Sequence, residues 1–189
     1  MKNYMNKFLI LLLMVFIYPI KSFGLIEVDI TRGNLNPLPV AVSPLSIDEK
    51  SRKSFENLIN KKNIGEEISS IVENNLKTSG LFNPLSKDAF LQAPDIANLK
   101  PRFEDWNLIK AQALITGKVT NIDNKLRVEF RLWDVLAGKE MMALAFTTVP
   151  TNWRRVGHII SDKVYERLTG EKGYFDTRII YVAEEGPKT

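Results

Sequence analysis

Two spacings of apolar residues divide this chain between them. From residue 113 to 149 the spacing is two. Leu126, Val128, Phe130 and Leu132 fall on one face of an extended segment, with Lys125, Arg127, Glu129 and Arg131 on the other. A strand with one apolar and one charged face belongs half-buried on a core. Asp123-Asn124 tolerates the positive backbone angles of a tight hairpin, so the spacing predicts a turn there and a partner strand over Ala113 to Val119. Ala137-Gly138-Lys139 predicts the next turn, and Met142, Leu144 and Phe146 alternate in a third strand over Met141 to Val149.

Elsewhere the spacing is three to four. Trp153, Val156, Ile160, Val164 and Leu168 mark one face of a helix about four turns long. Asn152 is placed to cap its start, and Gly170 is the residue type that ends helices in the left-handed conformation. Ile64, Ile68, Ile71, Val72 and Leu76 mark a second helix, with Glu66 and Glu67 in its first turn and Gly80 beyond its end. Phe103, Trp106 and Ile109 begin a shorter one. Pro39 to Leu45 reads as an apolar strand bounded by prolines, and Leu81 to Leu85 as a short strand cut by Pro84. Ser46 to Asn63 is dense in Lys, Glu, Asp and Asn and reads as a surface loop with at most a short amphipathic turn. Ala89 to Lys100 reads as irregular. Three antiparallel strands cannot stand bare, and the two long helices have the faces to cover them. The expected fold is α+β, a mixed sheet covered on one face by two main helices.

Two strand-like segments sit outside that unit. Ile26, Val28 and Ile30 alternate with Glu27, Asp29 and Thr31, and a turn-rich stretch from Gly33 to Pro37 leaves this segment on a mobile tether. It is either an edge strand of the domain's own sheet or a strand offered to a partner, in which backbone hydrogen bonds would give affinity and alternate side chains specificity. At the other end, Thr177 to Val182 is β-branched and aromatic, with no partner strand before Thr189.

Composition adds a compartment. Lys2 and Lys7 precede an unbroken apolar run from Phe8 to Ile17, with Pro19, Ser22 and Gly24 behind it, the order of a secretory signal peptide. Phe8 to Ile20 as a helix would span only about 20 Å, short of the roughly 30 Å hydrocarbon core of a membrane. Ser22 and Gly24 supply the small residues for cleavage between Gly24 and Leu25. Three of the 26 Lys and Arg residues and none of the 22 Asp and Glu lie in residues 1–24, so the remainder carries 23 against 22. A near-neutral chain of about 165 residues suits one domain and gives no electrostatic case for nucleic acid. With no cysteine, the fold must stand on its core alone.

The residues carry no recognisable chemistry. One histidine, His158, cannot build a multi-histidine metal site, and its place at the edge of a helix's apolar face favours a structural role. Glu66/Glu67, Glu104/Asp105 and Glu184/Glu185 are sequence neighbours that point apart, which suits surface charge rather than an acid/base couple. No glycine-rich phosphate loop follows a strand. Trp106, Trp133 and Trp153 belong to three different elements, which favours packing over a stacking platform. Arg154-Arg155 could receive a carboxylate at an interdomain contact. No enzyme activity, cofactor or small-molecule substrate is expected.

Several motifs carry a resemblance. Leu168-Thr169-Gly170, Gly173-Tyr174-Phe175 and Thr177-Arg178-Ile179, the strand Pro39 to Leu45, and the order helix, Ser79-Gly80, Phe82, Pro84-Leu85 resemble the TolB family of the Tol-Pal envelope system. The resemblance covers nearly all the chain after the signal peptide, apart from 46–63, which relatives often cross in fewer residues. It implies a mobile partner-binding segment at 25–37, a TolB-like amino-terminal domain at 38–170, and at 171–189 a linker followed by the first strand of a β-propeller that this chain would otherwise lack. It further implies a periplasmic adaptor acting in outer-membrane integrity and envelope constriction during cell division. In that family the mature amino terminus contacts the carboxy-terminal domain of TolA, a role that falls here on Ile26, Val28, Ile30 and, as a turn residue, Gly33. Binding of the peptidoglycan-associated lipoprotein belongs to the propeller and falls on no residue here. The competing expectation is a secreted polysaccharide-binding or hydrolytic domain, which would need a cleft with convergent carboxylates or exposed tryptophans.

Overall fold

The computed structural model describes residues 36–177 apart from Lys62. The strand expected over Thr177 to Val182 therefore lies outside them beyond its first residue. In chain order the elements are β1 (Leu38–Val42), β2 (Ser46–Ile47), α1 (Glu49–Ile59), α2 (Ile64–Thr78), β3 (Phe82–Pro84), α3 (Pro94–Leu99), α4 (Phe103–Leu108), β4 (Ala113–Ile122), β5 (Lys125–Asp134), β6 (Lys139–Thr148) and α5 (Trp153–Thr169). The strands form one mixed sheet in the order β3-β1-β4-β5-β6, with β2 alongside β4. β1 runs parallel to both β3 and β4, while β4, β5 and β6 form the expected antiparallel meander. Asp123 and Asn124 turn the first hairpin with φ of 50° and 59°.

Leu126, Val128, Phe130 and Leu132 are all fully buried, and with Val40, Val42 and Ile115 they form the sheet side of the main core. Over them lie Ile64, Ile68, Val72 and Leu76 of α2 and Val156, Ile160, Val164 and Leu168 of α5. A smaller cluster occupies the reverse face, where Ala41 and Leu114 meet Trp106 of α4. Crossovers between parallel strands keep one hand. The connection from β1 to β3 and the return from β3 to β4 step in opposite directions across the sheet, so they take opposite faces. This places α2 on one side and α4 on the other.

Pro44 breaks the extended run between β1 and β2. The Leu45 N–H finds its partner in the fully buried hydroxyl of Ser69 on α2, at 2.9 Å. That hydroxyl lies 2.9 Å from the Gly65 carbonyl and 3.1 Å from the Ser43 carbonyl, the acceptors within its reach. A buried irregularity of the sheet is thereby satisfied from the helix above it.

Residues 46–63 are not the loop their composition suggests. They hold β2 and the eleven-residue helix α1. Asp48 caps α1, its carboxylate accepting from the Ser51 N–H at 2.9 Å and the Ser51 hydroxyl at 2.8 Å. Asn60 ends it in the left-handed conformation. One large side chain on the inner face, Phe55, is fully buried, and Ser51 accepts from the Asn121 N–H at the end of β4. A narrow stripe on a largely polar helix is enough when it is anchored by a ring, with Ile59 packed beside it at the helix end. Residues 89–100 likewise contain α3, with Pro94 in its first turn, where a missing N–H costs nothing. Asn152 is the N-cap residue of α5 as expected, but its side chain makes no capping bond: the residue belongs to a 3-10 turn begun by Pro150, and its amide donates to Thr148 instead.

Removing the α1 anchor tests its place in the core. Phe55→Ala should cost about 3–5 kcal/mol in urea unfolding, against about 0.5 or less for a loop residue. Asp48→Ala should cost about 1 kcal/mol at pH 7. The Ser51 N–H, then its hydroxyl and the Lys118 charge, hold the Asp48 carboxyl below its ordinary value of 3.8 against a smaller opposing effect of burial. A folded value below the unfolded one gives stability that is present above pH 3.8 and lost as pH falls through the folded value. The two unfolding curves should therefore converge in acid.

Candidate partner-binding site

The residues expected to meet a partner, Ile26, Val28, Ile30 and Gly33, and the expected cleavage point at Gly24 and Leu25, lie outside the described residues. What the structure gives is their root. Asn36 is exposed, and two residues later Leu38 is buried. The Leu38 N–H donates to the Leu81 carbonyl at 2.9 Å, and the Pro39 carbonyl accepts from the Gln112 N–H at 3.0 Å. The chain is thus locked between β3 and β4 from its first strand residue. The five residue steps from Gly33 to Leu38 span at most about 17 Å.

Within the described domain several of the candidate polar groups have structural partners. His158 meets Asn75 across the α2–α5 contact at 2.9 Å from Nδ1, and the same Asn75 amide donates to buried Ser161 at 2.9 Å. Glu67 pairs with Lys61 at 2.8 Å, whereas its neighbour Glu66 lines a cleft of about 320 Å³ with Arg52, Asn63 and Asp95. Asp105 pairs with Arg102 at 2.7 Å, and that hydrogen bond, then one from Gln92, lowers its carboxyl. Burial, then Tyr174 and Glu171, pushes the Tyr165 hydroxyl up. Among the described residues no three of His, Cys, Asp and Glu gather where a metal ion could sit. No described helix is long and apolar enough to cross a membrane.

The tryptophans do not form a platform. Trp106 is buried on the reverse face against Phe90. Trp133 on β5 donates to Thr116 at 2.9 Å, and Trp153 at the start of α5 lies under Lys61 and Arg154. Of the Arg154-Arg155 pair, the second receives a carboxylate, and it comes from Asp176 of this same chain at 3.1 Å. Asp162, which holds the backbone at residues 175 and 176, carried no signal in the sequence. Its partners are main-chain N–H groups thirteen and fourteen residues away, and any sequence could supply those.

Residues 26–141 match the family model of the TolB amino-terminal domain. The chain belongs to the TolB family. It is 79% identical over 179 residues to the Tol-Pal system protein TolB of Pelagibacter ubique (strain HTCC1062), an alignment covering 95% of this chain and 40% of that protein. The chain thus spans less than half the length of this TolB relative. The crystal structure of TolB from Acinetobacter baumannii superposes with a TM-score of 0.59 at 23% identity, over 75% of this chain and 30% of that one. At that identity the likeness speaks for the fold, the mixed α+β architecture described above.

If Trp106 packs rather than stacks on a ligand, Trp106→Ala should cost about 3–5 kcal/mol in chemical denaturation. Its buried Nε1 has no hydrogen-bond partner among the described residues, so Trp106→Phe, which discards that N–H, should cost distinctly less.

Proposed function

We propose that this chain is a periplasmic adaptor of the Tol-Pal envelope system, working through protein contacts and without turnover of a substrate. The observation that carries the reading is the family match, which starts at Ile26 and so takes in the alternating segment as well as the domain behind it. The 79% identity to a protein named for that system supports the same assignment. Residues 1–24 direct export and are removed between Gly24 and Leu25. Residues 25–33 then form the docking strand for the carboxy-terminal domain of TolA, with Ile26, Val28 and Ile30 facing the partner and Gly33 turning the chain back to β1. In this reading residues 177–182 open a propeller, and contact with the peptidoglycan-associated lipoprotein requires that propeller. The adaptor serves outer-membrane integrity and constriction during division, and it uses no cofactor, metal or nucleic acid.

The short radius from Gly33 to Leu38 fits this role, because a strand offered near a rigid domain loses little freedom on docking. A pull-down with the carboxy-terminal domain of TolA, using the chain from Leu25 and the chain from Asn34, tests it. The longer form should bind and the shorter should not. Val28→Asp, which would place a charge on the docking face, should weaken binding at least about tenfold. Equal retention of all three forms would overturn the assignment.

A further inference from the structure

The stretch after α5 is expected from sequence to be a linker, yet the described part of it is held along the helix it leaves. Gly170, at φ 75°, ends α5 and reverses the chain. The Glu171 N–H donates to the Thr169 hydroxyl at 3.1 Å. Two turns back along α5, Asp162 offers both carboxylate oxygens: Oδ1 accepts from the Phe175 N–H at 2.6 Å and Oδ2 from the Asp176 N–H at 3.1 Å. Two successive backbone donors on one carboxylate are charge-assisted bonds that fix direction as well as distance. Two turns earlier still, Arg155 donates to both oxygens of Asp176, at 3.2 and 3.1 Å, although its exposure to water makes that pair the weaker hold.

Packing works with these bonds. The Tyr165 ring meets Tyr174 at 5.5 Å and Phe175 at 5.8 Å between centroids, both edge-to-face, and its other side meets Phe82 of β3 at 6.1 Å. Phe175 thereby reaches the main core. Gly173 passes so close over Asp162 that a β-carbon there would collide with the Asp162 backbone, which cannot yield without moving α5. Each of these contacts ends on a residue of α5 or β3, and none depends on a second molecule.

We propose that residues 170–176 are a strap closed onto α5 by Asp162, so that the chain departs at Thr177 in a direction set by the helix. Asp162 is then a positioning residue. Its carboxylate decides whether the segment beyond Thr177 moves with the domain or independently of it. An opened strap would release Phe175 from the core edge and free the chain from Gly170 onward, an added reach of up to about 20 Å. The family assignment enters only in naming what would be oriented. The strap itself is a property of this chain.

Amide hydrogen exchange on the 189-residue chain tests it, with the Phe130 amide of β5 reporting that the fold is intact. The wild-type amides of Phe175 and Asp176 should be protected. In Asp162→Ala both should exchange at least about tenfold faster while Phe130 is unchanged. Gly173→Ala should give the same result without altering α5, because it pushes the strap off from the other side. Phe175 and Asp176 amides that exchange equally fast in the wild type and Asp162→Ala, or that keep full protection in Gly173→Ala, would overturn the strap. No partner is present in the experiment, so its failure would leave the proposed TolA contact standing, and a failed pull-down would leave the strap standing.

Discussion

Leu126, Val128, Phe130 and Leu132 project from one face of β5 with no exposure to water, and the rest of the domain is arranged to keep them so. Burying four such side chains contributes several kcal/mol, about 1.5–3 each, and no single neighbouring element is wide enough to do it alone. β4 and β6 flank the strand, and α2 and α5 close over it from above. The charged residues between them, Arg127, Glu129 and Arg131, must then face the other way. There they pair along the sheet surface, Arg127 with Glu129 and Arg131 with Glu140. One alternation thus decides both which face the helices take and which face stays polar.

The same constraint separates the domain from its two ends. β1 is an interior strand, held between the edge strand β3 and the central β4, so the chain enters the sheet between two strands rather than along its edge. α5 is the last element over the core, so whatever follows it starts from a helix that cannot shift without opening that core.

Much of this was legible in the sequence because the strongest periods belong to the most buried elements. The meander, α2, α5 and the left-handed Gly170 follow directly from spacing and turn chemistry. α1 was hidden because its fully buried residues are one ring and one serine, Phe55 and Ser51, on a helix whose first five residues include four charges. Its real signature was the cap, Asp48 with Ser51 three residues on, rather than its apolar content. Asn152 marked the start of α5 correctly, but its side chain is taken up by Thr148 across the Pro150 turn and leaves the capping bond unmade. Of the candidate site, the alternation at Ile26, Val28 and Ile30 is visible in sequence. The grip of Asp162 on residues 175 and 176 is not, because it is made with main-chain atoms brought near only by the fold.

One feature of the sheet bears on how this protein behaves in a test tube. β6 lies last in the strand order, runs ten residues, and carries charge only at Lys139 and Glu140. Leu144 in its middle remains 37% exposed on the face that α2 and α5 otherwise cover. The register shift near Leu132 and Trp133 bends only the end that is already charged, leaving Met141 to Thr148 as a long uncharged edge of the kind that pairs with copies of itself. Ala143 and Ala145, exposed on the face away from the helices, are the positions where a lysine would close that edge without entering the core.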